Sequence, residues 1–131
     1  MTYDRTIPPG LEDAIVSALE SSPYRRDAAL SRRGLIFWVG QHMGASVPER
    51  IVREAIHSLR RKGVLICSAP GAEGGYWLAT SREDVDECRE REFRAKAFDL
   101  LETDAAMDKA ARARWGDAVQ ISLFETMEVQ R

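Results

Sequence analysis

Cysteine is scarce in this chain. Cys67 and Cys88 are the only two and lie far apart in sequence. That is no disulfide framework, and it predicts a reducing, cytoplasmic setting. No run of about 18 apolar residues occurs, so no transmembrane helix is predicted. The opening "MTYDRTIPPG" has no basic region followed by an apolar stretch, which predicts no secretory leader. His42, His57, Cys67 and Cys88 show none of the paired close spacings of a zinc site, so neither a metal nor another cofactor is expected. Gly71, Gly74 and Gly75 lack the following Lys-Ser/Thr of a phosphate loop and fall between two predicted strands. No Ser/His/Asp or Cys/His arrangement suggests a nucleophile, and a non-enzymatic protein is predicted. An overall basic excess is missing too, because the net charge is −2.

What remains is a globular composition, 44% hydrophobic and 31% charged over 131 residues, enough for one modest core. The charge is unevenly placed. From Tyr24 to Gly63 nine Lys/Arg face three acids, a local balance of +6; from Ser81 onward nine face 13, or −4. Screening over about 10 Å lets a basic stripe act on a phosphate despite acids elsewhere.

The pattern along the chain predicts a mainly α protein with a small β-hairpin. "LEDAIVSALESS" places Leu11, Ile15 and Leu19 on one helical stripe, and "SPYRRD" breaks it. "SRRGLIFWVGQHMG" reads as a second helix with Ser31 as N-cap and Gly44 as its stop. The third helix, "ASVPERIVREAIHSLRRKG", is expected to open on a Ser46–Glu49 capping box and to close at Gly63. Val52, Ala55, Ile56 and Leu59 form its apolar stripe, and Arg50, Arg53, His57, Arg60 and Arg61 the opposite face. "VLICS" and "YWLAT" read as strands around a glycine-rich turn. Trp38, Tyr76 and Trp77 are expected as core aromatics. From Ser81 to Gly116 helical spacing returns, as one long helix or as two with a break near Thr103.

The order helix, helix, basic helix, strand, glycine turn, strand resembles the winged helix-turn-helix domains common in bacteria and their phages. Ile56, Leu59, Arg60, Gly63, Ile66 and the run Gly75 to Ala79 carry the likeness, which covers about residues 10–80. The resemblance implies double-stranded DNA as partner. The N-terminal half of the third helix, with Ser46, Arg50, Arg53 and His57, would reach base edges in the major groove. Arg60, Arg61 and Lys62 at its end, and Arg25, Arg26, Arg32 and Arg33 ahead of and inside the second helix, would meet phosphates. Glu73 at the turn offers no base for a wing contact.

The segment "QISLF", Gln120, Ile121, Ser122, Leu123 and Phe124, resembles the short peptide by which bacterial polymerases and repair proteins bind the DNA sliding clamp. Such peptides dock extended in an apolar cleft, with Leu and Phe in a pocket and Gln hydrogen-bonded. The rival reading folds Ile121, Leu123 and Phe124 back onto the long helix as core. Three parts are therefore expected: a winged helix-turn-helix domain (1–80), a C-terminal helical extension (81–115) and a flexible tail (116–131). The expected function is a nucleoid-associated accessory of DNA replication or repair. The alternative is a transcriptional regulator that forms a homodimer through its C-terminal helix and uses the tail structurally.

Overall fold

In a computed structural model of the chain, the described residues are 7–71 and 74–116. The chain divides into two compact units between Glu92 and Phe93. The first holds α1 (Leu11–Glu20), β1 (Leu30–Ser31), α2 (Arg32–Met43), α3 (Glu49–Arg61), β2 (Ile66–Ser68), β3 (Gly75–Leu78) and α4 (Arg82–Arg89). A π-helical turn, Glu90–Arg94, follows, and then α5 (Ala95–Trp115). The protein is mainly helical with a small antiparallel sheet. Among the described residues no helix is long and apolar enough to cross a membrane.

α2 and α3 have the ends their sequence predicts, with one exception. The Ser31 hydroxyl accepts from Gly34 N at 3.0 Å and caps α2, while Gly44, at φ +74°, ends it. At the end of α3, Gly63 adopts φ +95°, so its N–H reaches Arg60 O (3.1 Å) and that of Val64 reaches Leu59 O (3.0 Å). The exception is the start of α3. The expected Ser46–Glu49 capping box is not formed. Pro48, with extended dihedrals (φ −58°, ψ 143°), is the N-cap, and its carbonyl accepts from Ile51 and Val52 N. The helix starts at Glu49, which leaves Ser46 too far upstream to reach the first-turn amides.

The sheet holds one strand more than the expected hairpin. Its order is β1-β3-β2, with Leu30 opposite Tyr76 and Ser31 opposite Gly75 on one side, and Ile66, Cys67 and Ser68 opposite Leu78, Trp77 and Tyr76 on the other. β1 is only two residues long, too short for an alternating pattern to reveal. Gly75 makes this pairing possible: a Cβ there would lie 2.1 Å from the Leu30 carbonyl oxygen.

One core cluster joins α1, α2, α3 and the sheet through Leu11, Ile15, Leu35, Val39, Val52, Ile56, Leu59, Ile66 and Tyr76. A second, smaller cluster of Cys67, Trp77 and Cys88 seats α4 against the sheet. Trp38 is only half-buried and stacks on His42, with ring centroids 5.1 Å apart. The Ser81 hydroxyl caps α4, accepting from Asp84 N at 3.1 Å. The buried Asp84 carboxylate accepts from Trp77 Nε1 (2.8 Å) and Thr80 N (3.2 Å). In the second unit α5 runs unbroken through Thr103, and the helical stretch from Ser81 is interrupted instead at Glu90–Arg94.

Two substitutions test these joints. Asp84→Ala strands the buried indole N–H and should lower stability by about 2 kcal/mol in urea unfolding. Gly75→Ala drives Cβ into the β1 backbone, so its urea midpoint should fall well below that of the wild type.

Candidate nucleic-acid interface

α3 is divided lengthwise by its own periodicity. Ile51, Val52, Ala55, Ile56 and Leu59 are buried, and Arg50, Arg53, His57 and Arg61 are exposed. The exposed four recur at steps of three, four and four, which keeps them on one face about 16 Å long at 1.5 Å per residue. Burying a large aliphatic side chain is worth roughly 1.5–3 kcal/mol, so the apolar stripe sets how the helix is rotated. The cationic face is what that rotation leaves outside.

Arg50 on this face is paired along its own helix. Arg50 Nη1 lies 2.9 Å from Glu54 Oε1, one turn further along α3. An exposed pair of this kind contributes about 0.3–0.5 kcal/mol, so a phosphate or base edge can replace the carboxylate at little cost. Of the three bases that end the helix, two are engaged within the protein. Arg60 is half-buried, donating from Nε to Ile66 O (2.8 Å) and from Nη2 to Ser68 Oγ (3.0 Å). Lys62 Nζ lies 2.8 Å from Glu12 Oε2 on α1. Arg61 alone of the three stands on the exposed face.

Arg32 and Arg33 are exposed in the first turn of α2, which carries no acid. That placement opposes the helix dipole, which favours anions at this end. Ser46 is exposed in the turn between α2 and α3. Nearby Arg25 faces Asp27 at 3.6 Å, and Arg26 is paired with Glu87 of α4. Ala72 and Glu73 at the strand turn lie outside the described residues, as do Gln120, Ile121, Ser122, Leu123 and Phe124.

Two features had weak sequence signals. Phe37 is 69% exposed on α2, beside a shallow hollow it lines with Ile36, Gly40 and Ser46. Its place within "LIFWV" makes it look like core. Ser68 is a polar junction: its Oγ accepts from Arg60, and its carbonyl accepts from Arg91 Nη2. The thiols of Cys67 and Cys88 are both free and buried, and Cys67 Sγ donates to Asp84 O at 3.8 Å. Their interaction with each other raises the Cys67 pKa above the ordinary thiol range and lowers Cys88 to about 6, with burial raising both. Among the described residues no group of three His, Cys, Asp or Glu could hold a metal ion.

Comparison of the chain with protein-family models, with curated proteins and with solved structures gives no match.

The division among the arginines is measurable. Arg60→Ala should lower stability by about 1–3 kcal/mol in urea unfolding, because it empties two partly buried acceptors. Arg53→Ala and Arg61→Ala should stay within about 0.5 kcal/mol of the wild type.

Proposed function

We propose that this chain is a non-enzymatic, winged helix-turn-helix DNA-binding protein that also attaches to the DNA sliding clamp. In this reading α3 lies in the major groove of duplex DNA, with Arg50, Arg53 and His57 toward base edges and Arg61 toward a phosphate. Arg32 and Arg33 hold the backbone, helped by the N-terminal dipole of α2. Arg60 acts from behind, fixing the end of α3 to β2. The single observation behind the reading is the cationic outer face of α3, backed by a fully apolar inner face. The element order and the three-stranded sheet agree with the winged-helix resemblance.

The clamp half of the proposal rests on sequence. Gln120, Ile121, Ser122, Leu123 and Phe124 reproduce the Gln-aliphatic-Ser-Leu-Phe order of clamp-binding peptides. Joining a modest DNA contact to a clamp contact on one chain raises the effective concentration at each site. The protein would work in the cytoplasm, at the nucleoid, as an accessory of replication or repair.

The two halves are tested separately. Arg50→Ala/Arg53→Ala should weaken duplex binding at least tenfold and relax its sequence preference, while Arg32→Ala/Arg33→Ala should reduce the slope of log affinity against log salt by about two. Unchanged affinity of the first variant removes α3 from the interface. Purified bacterial clamp should capture the full chain but not the Leu123→Ala/Phe124→Ala variant. Should that variant instead unfold, the tail is core and the regulator reading gains.

A further inference from the structure

Both cysteines of the chain meet at one seam of the first unit, between β2 and α4. Cys67 is the middle residue of β2, and Cys88 lies in the last turn of α4. They are 2% and 4% exposed and pack with Trp77 in one small cluster. Each thiol reaches the other's element. Cys67 Sγ donates to the carbonyl of Asp84, one turn before Cys88. The Cys88 sulfur accepts from the backbone of Ser68, next to Cys67. These two contacts cross the seam in opposite directions and bring the sulfurs side by side, where they interact directly.

We infer that Cys67 and Cys88 are an oxidisable pair, which a peroxide closes into a disulfide tying α4 to β2. The lowered pKa of Cys88 leaves it a thiolate at neutral pH, the nucleophilic form. That thiolate attacks one oxygen of hydrogen peroxide, and the O–O bond breaks. The hydroxide released takes up a proton and leaves as water, with Cys88 now a sulfenic acid. The Cys67 sulfur then attacks the Cys88 sulfur. An S–S bond forms, the S–O bond breaks, and the departing hydroxide carries off the Cys67 proton as a second water. Peroxide is small and uncharged, so a brief loosening of α4, at eight residues the shortest helix of the unit, is enough to admit it. A thiol reductant reverses the change by exchange. The closed form adds a covalent tie to the Asp84–Trp77 hydrogen bond across the same seam. Cross-linking a loop of about 20 residues restricts the unfolded chain and so favours the folded one.

This redox joint stands apart from the DNA and clamp reading and is measured without either partner. The full chain is treated with hydrogen peroxide at neutral pH, alkylated under denaturing conditions and mapped by mass spectrometry. Both thiols should become resistant to alkylation, a peptide joining Cys67 to Cys88 of one monomer should appear, and dithiothreitol should restore both thiols. Thiols that remain alkylable, sulfinic acid without the joined peptide, or a disulfide between two monomers overturns the inference. The urea midpoint of the oxidised chain should lie above that of the reduced chain. An equal or lower midpoint overturns the tie between helix and strand. Cys67→Ala leaves Cys88 no second sulfur, so its oxidation should stop at a sulfenic acid that dimedone labels, whereas Cys88→Ala should take up no dimedone. Labelling of Cys88→Ala instead overturns Cys88 as the attacking sulfur. Should either variant unfold, the mapping and midpoints of the wild type decide.

Discussion

The rotation of α3 about its own axis is the constraint on which the rest depends. Ile51, Val52, Ala55, Ile56 and Leu59 must all face α1, α2 and the sheet, and only one rotation of the helix allows it. Each of these burials outweighs any exposed ion pair on the same helix several-fold. The basic residues therefore occupy whatever positions the apolar ones leave. Arg60 lies at the boundary between the two faces. Its position turns the guanidinium toward β2, where Ile66 O and Ser68 Oγ accept it. The cation that looks most like a phosphate contact from its neighbours is spent on joining helix to sheet.

The same junction continues into α4. Ser68 is approached by Arg60 from α3 and by Arg91 from the turn beyond α4, so one small residue ties two elements to β2. On the opposite strand Trp77 is held by Asp84. α4 is thus fixed to the sheet by a buried charge-assisted hydrogen bond as well as by the packing of Cys67 and Cys88, and the first compact unit extends to Glu92. Polar contacts at a buried boundary cost heavily when left incomplete, so losing one of these costs more than losing an exposed pair.

What the sequence made legible follows the physics of periodicity. α1, α2 and α3, with the ends at Ser31, Gly44 and Gly63, were readable because local rules govern them: capping oxygens, left-handed glycines and a 3.6-residue repeat. β2 and β3 were readable as apolar runs around a glycine turn, although both proved shorter than the runs themselves. β1 was not, because two residues carry no pattern and the pairing depends on Gly75, over 40 positions away. The Ser46–Glu49 box was misread because the motif is a spacing, whereas the outcome depends on where Pro48 lets the helix begin. At the candidate interface, Arg50, Arg53, His57 and Arg61 could be placed on one face by counting. The inward turn of Arg60 and the pairing of Lys62 with Glu12 could not, since both depend on partners six and 50 residues distant.

The number of cations facing outward limits what one copy can do. If Arg32, Arg33, Arg50, Arg53 and Arg61 each neutralised one phosphate, the slope of log affinity against log salt would be about −4.5. Raising salt from about 50 to 200 mM would then cost nearly three orders of magnitude in affinity. With Arg60 and Lys62 committed elsewhere and a net charge of −2, no reserve of long-range attraction offsets that loss. On the proposed reading, a single α3 would therefore be a weak grip at cellular ionic strength, and a lasting hold on DNA would need the clamp attachment proposed for the QISLF segment. Such a second contact would turn dissociation of the first into a local event that it reverses.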